Sequence, residues 1–223
     1  MIIQKQKPFE EILKALDGEK KVFIFGCADC ATACKVGGED ELAEMKAKLE
    51  EKGYEVTGTY VLDTACLTGE VRKRARELKD KIDAADSILV LACGTAVQTI
   101  GDTIEKLTHP GVESLFSGTV MRLGKYTEKC RACGKCILEE TGGICPVTRC
   151  AKGLLNGPCG GYRNGKCEVN PDQDCAWLLI YDRLRQRGKL DWLEDVKDAK
   201  DYSTASSPRS YTWERPEEAG KHE

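Results

Sequence analysis

Thirteen cysteines in a chain of 223 residues, set against only two histidines, constrain this sequence more than any other feature. The first twenty residues carry no apolar run of the kind that marks a secretory signal, so a reducing, cytoplasmic setting is expected. Disulfides belong to oxidising compartments, and an odd number of cysteines cannot pair completely. In a reducing compartment such residues serve as metal ligands or redox-active thiols. With His109 and His222 the only imidazoles, thiolates must do the holding, which points to iron–sulfur clusters or Cys₄ zinc.

The rest of the composition removes other classes. A net charge of −3 and a pI near 5.7 argue against a general nucleic-acid binder. No apolar run approaches the roughly 20 residues needed to cross a bilayer. The acidic residues fall on solvated helix faces and neither histidine has a partner pattern, so general acid–base catalysis has no support.

Periodicity divides the chain in three. Residues 1–122 read as an α/β domain. Short β-rich runs at 21–26, 55–62 and 87–92 alternate with helical patterns at 39–52, 70–82 and 95–107, and a weaker fourth strand is expected at 112–116. This order predicts a small flavodoxin-like parallel sheet covered on both faces. Residues 123–195 are dense in glycine and cysteine, as expected of a module stapled by metal. Two short helices are predicted there, at 146–155, opened by Pro146, and at 175–187, closed by Gly188; Asn164-Gly165 marks a tight turn. Residues 196–223 read as a polar tail, disordered by composition, with Tyr202, Tyr211 and Trp213 as candidates for docking a partner.

The cysteines fall into two constellations. Cys27, Cys30 and Cys34 follow the first predicted strand, Cys66 the second and Cys93 the third. Loops after the carboxyl ends of parallel strands gather on one edge, so this topology brings distant thiols together. Cys27, Cys30, Cys66 and Cys93 form the most natural four-thiolate set, with Cys34 as a substitute or spare. The plainer alternative makes Cys66 and Cys93 small buried hydrophobes. A flavin suits such an edge, but Gly26-Cys-Ala-Asp-Cys30 lacks a phosphate cradle; a Cys27/Cys30 dithiol catalyst is a third option. The second constellation opens with Cys130, Cys133 and Cys136, whose C-x₂-C-x₂-C spacing can wrap three corners of a cubane cluster. Cys145, Cys150, Cys159, Cys167 and Cys175 follow; Cys145 precedes a helix start, where amides favour thiolate charge. These eight thiols can serve two four-ligand sites, or one site plus buried thiols, and zinc would staple the module as well as a cluster would.

One block is longer and more specific than any spacing rule. Cys130-Arg-Ala-Cys-Gly-Lys-Cys136, Gly143-Ile-Cys-Pro-Val-Thr-Arg-Cys150 and Asn156-Gly-Pro-Cys-Gly-Gly161 resemble the methylene-tetrahydrofolate reductase C-terminal domain family. Asn164-Gly-Lys-Cys-Glu168 and Cys175-Ala-Trp-Leu-Leu-Ile-Tyr-Asp-Arg-Leu184 extend the likeness. Phe25-Gly-Cys-Ala-Asp-Cys30 and Leu91-Ala-Cys-Gly-Thr-Ala-Val-Gln98 resemble the family's small-subunit, MetV-type form. The resemblance implies a non-catalytic iron–sulfur subunit of an oxidoreductase in one-carbon metabolism, the Wood–Ljungdahl pathway of anaerobes. It would hold one to three [4Fe–4S] clusters, most naturally two, with zinc at one site as an option. It would relay electrons to the flavin of a TIM-barrel methylene-tetrahydrofolate reductase subunit, with further electron-donating subunits as added partners. The alternative is a zinc-stapled assembly subunit of the same reductase without a redox role. The chain is too short to add eight βα units to this module, and it shows no dinucleotide fingerprint.

Overall fold

The computed structural model describes residues 1–213. It divides into two compact units, residues 1–128 and residues from 129 onward. His222 and the last part of the predicted tail lie outside the described residues.

The first unit begins with β1 (Ile2–Gln6) and α1 (Phe9–Ala15). An α/β succession follows: β2 (Lys21–Cys27), α2 (Cys30–Ala33), α3 (Glu39–Glu51), β3 (Glu55–Leu62), α4 (Thr68–Glu77), α5 (Lys79–Asp83), β4 (Ser87–Leu91), α6 (Gly94–Ile104) and β5 (Thr108–Pro110). Four of these strands form a parallel sheet in the order β3-β2-β4-β5. The order reverses between β2 and β4, and the edge beyond their carboxyl ends is where ligands of such sheets sit.

Central strands β2 and β4 are apolar along their whole inner length because both sheet faces are covered. Val22, Ile24, Leu89 and Leu91 point to one face, where they meet Ile12 and Leu16 of the α1 region and Leu42, Met45 and Leu49 of α3. Phe23, Phe25, Ile88 and Val90 point to the other, against Val71, Ile82, Ala96 and Ile100. The three apolar residues of α3 recur at helical spacing, and the Glu41 carboxylate accepts the Gly38 N–H (2.9 Å) to close the helix start.

The strand expected at 112–116 as a fourth parallel member is not one. That place belongs to β5, and residues 112–122 form β6 (Val112–Arg122), which pairs antiparallel with β1; β7 (Lys125–Cys130) completes this second sheet in the order β1-β6-β7. Pro110-Gly111 makes the break. Proline offers no N–H to continue the ladder, and a Cβ on Gly111 would lie 2.3 Å from the Leu91 side chain. The helix expected over 70–82 is divided at Leu78, whose φ of −105° and ψ of 13° leave the helical region.

The second unit is loop-rich. Its helices are α7 (Pro146–Arg149) and α8 (Ala176–Gln186), with 3₁₀ turns at Leu190–Leu193 and Ser203–Ala205. Helix α7 is shorter than its proline start suggests, because Cys150 is already extended (φ −92°, ψ 118°). A small core of Ile144, Cys175, Trp177, Ile180 and Leu184 lies under α8, and the Trp177 indole N–H donates to the Leu154 carbonyl at 3.0 Å. Asn164 and Gly165 both have positive φ (50° and 79°), the backbone of a two-residue hairpin turn; the flanking Arg163 and Lys166 exchange hydrogen bonds of 3.1 and 2.8 Å. Among the described residues, no helix is long and apolar enough to cross a membrane.

Candidate metal centres

In the first unit the strand ends hold the thiols. Cys27 closes β2 and Cys30 opens α2, while Cys93 sits at the N-cap of α6, just past β4. Cys66 follows β3 in the turn before α4. The loop carrying the first pair is pressed onto the sheet by glycines. A Cβ on Gly26 would meet the Gly37 carbonyl oxygen at 2.3 Å, and one on Gly37 would meet the Leu91 oxygen at 1.8 Å. Backbone thus touches backbone from β2 through the loop to β4, and only glycine permits it. The Cys27 N–H donates to Gly37 (3.0 Å), the Ala28 N–H to Leu62 (2.7 Å), and the Thr32 hydroxyl to the Cys27 carbonyl (2.8 Å).

The Cys66 thiol is pushed up first by desolvation, then by the charges of Cys93, Cys27 and Cys30. These four sulfurs, delivered by three different strands, therefore share one electrostatic neighbourhood. Cys34 behaves differently. It is 5% exposed, lies 3.9 Å from the Ile2 carbonyl oxygen of β1, and its thiol is raised chiefly by burial, with only Cys30 among the cysteines contributing.

In the second unit Cys130 ends β7 and begins a loop without regular structure. Ala132, Gly134 and Lys135 all have positive φ (50°, 64° and 32°), which coils the chain around Cys133. The Ala132 N–H donates to the Cys130 sulfur at 3.2 Å. Cys145 is the N-cap of α7.

Cys150, Cys159, Cys167 and Cys175 line one small cavity of about 20 Å³, together with Lys152, Glu168 and Trp177. Four local structures supply these thiols: the end of α7 (Cys150), the irregular loop at 157–161 (Cys159), the Asn164-Gly165 hairpin (Cys167) and the N-cap of α8 (Cys175). The Cys167 thiol is pulled down by the N–H groups of Asn170 and Val169. The Cys159 thiol donates to Glu168 Oε2 (3.4 Å) and accepts the Gly161 N–H (3.4 Å), while Lys152 holds the same carboxylate at 2.8 Å. Cysteine spacing left this partition open; the fold supplies it by returning the chain through the hairpin.

A wider cleft of about 970 Å³ runs along α8 beside Cys136, with Trp177, Tyr181 and Trp192 on its walls and residues 195–201 along its rim. Residues 200–209, part of the expected polar tail, are bonded back onto the Cys130–136 loop, as detailed below. No sequence signal distinguished Lys200 and Arg209 there from ordinary solvated cations. His109 bonds Glu19 at 2.9 Å.

Among the described residues, no three His, Cys, Asp or Glu side chains stand close enough together to grip one metal ion. A cubane's thiolates bind four separate irons and need not converge on a point, so the four-sulfur neighbourhood at the strand ends fits a cluster in donor type and number. The smaller cavity has room for about one atom-sized guest.

Similarities to solved structures include two to arylmalonate decarboxylase. One has 16% identity over 46% of this chain and 44% of the enzyme; the other, an unliganded form, has 18% identity over 46% of each. The match spans under half of either chain, and at a TM-score of 0.33 it carries no argument. No curated protein matches. A family model does: the one described as methylene-tetrahydrofolate reductase C terminal, over residues 109–203. It covers every cysteine of the second constellation, including the four around the small cavity. Residues 109–203 of this chain, which include the whole second constellation, are thus similar to the methylene-tetrahydrofolate reductase C-terminal family.

Proposed function

We propose that the chain is a MetV-type iron–sulfur electron-transfer subunit, serving a flavin-bearing methylene-tetrahydrofolate reductase in the one-carbon metabolism of a reducing cytoplasm. The observation that carries the redox half is the shared neighbourhood of Cys27, Cys30, Cys66 and Cys93 at the reversal point of the parallel sheet. The match of residues 109–203 to the methylene-tetrahydrofolate reductase C-terminal model supports the partner.

The four strand-end thiols hold one [4Fe–4S] cluster; Cys130, Cys133, Cys136 and Cys145 hold a second. Bound there, a cluster supplies one-electron redox chemistry at low potential. The protein's part is to fix the donors and limit water. Gly26 and Gly37 set the height of the Cys27–Cys30 loop over the sheet, and buried Phe25, Leu62 and Val90 form an apolar floor beneath it. Cys34 stays outside the first set as a hydrogen-bonded core thiol. Cys150, Cys159, Cys167 and Cys175 line the small cavity as a thiol-rich corner of the module, and zinc as a structural staple belongs to the alternative reading.

Anaerobically purified protein tests this. The expected result is broad brown absorbance bleached by dithionite, with iron and sulfide in equal amounts. Cys66→Ser and Cys93→Ser should each remove one cluster's iron and leave the remaining iron in place. Colourless protein holding only zinc would establish the structural-subunit alternative. Unchanged iron in both variants would overturn the strand-end site.

A further inference from the structure

The loop from Cys130 to Cys136 is held in an expensive conformation by something outside itself. Ala132 and Lys135 are non-glycine residues with φ of 50° and 32°, the left-handed side that residues with a Cβ avoid. What holds it is the segment around residues 197–209. Asn156 anchors that segment with two hydrogen bonds to the Lys197 backbone, at 2.9 and 2.8 Å. Lys200 then donates its ammonium to the carbonyls of both Gly134 and Lys135, the second at 2.6 Å, and lies 5.4 Å from the centre of the Tyr202 ring. Arg209 donates to the Ala132 carbonyl at 2.9 Å and to Thr204 at 2.9 Å. Asp201 closes the arrangement with an ion pair to Lys135 at 3.0 Å; its carboxyl is held far below the ordinary range by the Ser203 N–H and hydroxyl and by Lys135. Thr204 sits so close to Gly134 that a Cβ there would lie 1.7 Å from its hydroxyl oxygen.

Two cationic side chains from the far end of the unit thus cap three carbonyls of a seven-residue loop containing three cysteines. Each capped carbonyl belongs to a peptide unit whose N–H is that of Cys133, Lys135 or Cys136. A cation on the oxygen polarises that N–H and makes it a better donor. Donors and positive charge beside thiolate sulfur raise the potential of a cluster held there.

We propose that Lys200 and Arg209 are positioning residues for the Cys130–Cys133–Cys136 centre, a cationic clasp that fixes its loop and raises its reduction potential. This rests on the cluster reading of that loop, and the test separates the two. Lys200→Met, Arg209→Met and the double variant are made in the full chain, with Lys200→Arg and Arg209→Lys as conservative controls. In protein reconstituted with iron and sulfide, the loop cluster's midpoint potential, followed by EPR in a dye-mediated titration, should move to more negative values in the Met variants. It should return toward wild type in the conservative ones, with iron content and the strand-end cluster's potential unchanged. In metal-free protein, alkylation of Cys130, Cys133 and Cys136 relative to Cys66 should speed up about fivefold for each clasp hydrogen bond lost, the worth of one such bond. Wild-type potential and wild-type alkylation in the double variant would overturn the clasp. Wild-type protein that takes up no iron at this loop would overturn the cluster reading instead, and the alkylation rates would then decide whether the clasp exists.

Discussion

Replacing Gly37 by alanine tests whether the strand-end site depends on direct backbone packing. The new Cβ would lie 1.8 Å from the Leu91 carbonyl oxygen, 2.9 Å from its carbonyl carbon and 2.9 Å from the Ala31 Cβ. Two of these neighbours are main-chain atoms of central strand β4, which no rotamer change can move aside. Relief must come from lifting the loop, and lifting it stretches the Cys27 N–H bond to the Gly37 carbonyl. Overpacking of this kind costs about 1–3 kcal/mol, and the upper end applies where backbone meets backbone. Gly69 is the control. It lies in α4 with nothing within 4 Å of its would-be Cβ, so alanine there should stabilise the helix by about 0.5–1 kcal/mol. Native-state hydrogen exchange of the buried β2 and β4 amides, read by mass spectrometry, reports both changes in one assay. A loss near 3 kcal/mol accelerates globally exchanging amides about a hundredfold. Gly37→Ala protein with exchange within twofold of wild type would refute the packing argument, as would a Gly69→Ala variant that exchanges faster than Gly37→Ala.

Phe25 is fully buried with its ring 4.7 Å from that of Phe23, so Phe25→Ala should cost about 3–5 kcal/mol in urea unfolding followed by circular dichroism. Asp86 accepts the N–H groups of Lys20 and Lys21, both at 2.8 Å, and they hold its carboxyl below the ordinary 3.8. Its stabilising contribution is therefore complete above that ordinary value and disappears as pH falls through the depressed one. Asp86→Asn should flatten the acid side of a melting-temperature profile while leaving the neutral side parallel to wild type.

Much of the first unit is legible in sequence because its strands are buried on both faces. Residues 21–27, 55–62 and 87–91 are short apolar or β-branched runs between helical patterns, and nothing competes with that reading. Helix α3 announces itself by Leu42, Met45 and Leu49. β1, by contrast, offers two isoleucines among lysine and glutamine, and its identity comes from pairing with β6, more than a hundred positions away. The same long-range pairing defeats the expectation for residues 112–116: local preference identifies a strand, and only the Pro110-Gly111 break decides its sheet. In the second unit the cysteines are visible and their grouping is not. Cys150, Cys159, Cys167 and Cys175 are spaced by nine, eight and eight positions, and only the hairpin and α8 turn those intervals into one cavity. Lys200 and Arg209 are invisible for a simpler reason. Carbonyl capping by a cation leaves no residue pattern, because every residue supplies the carbonyl.

The pairing of β1 with β6 also governs the order in which the first unit can be made. Ile2 faces Ser117 and Gln6 faces Val112, so β1 has no partner until nearly the whole unit has been synthesised. Cys34 stays uncovered on its β1 side until β1 docks, since Ile2 supplies the carbonyl beside the Cys34 sulfur. Loop-closure entropy on that scale must be overcome before the ladder returns any stabilisation. The parallel sheet can assemble around β2 and β4 first, and the antiparallel ribbon then seals it. Strand β1 cannot pair before residue 112 is made, so a nascent chain stalled earlier leaves Cys34 without its β1 cover.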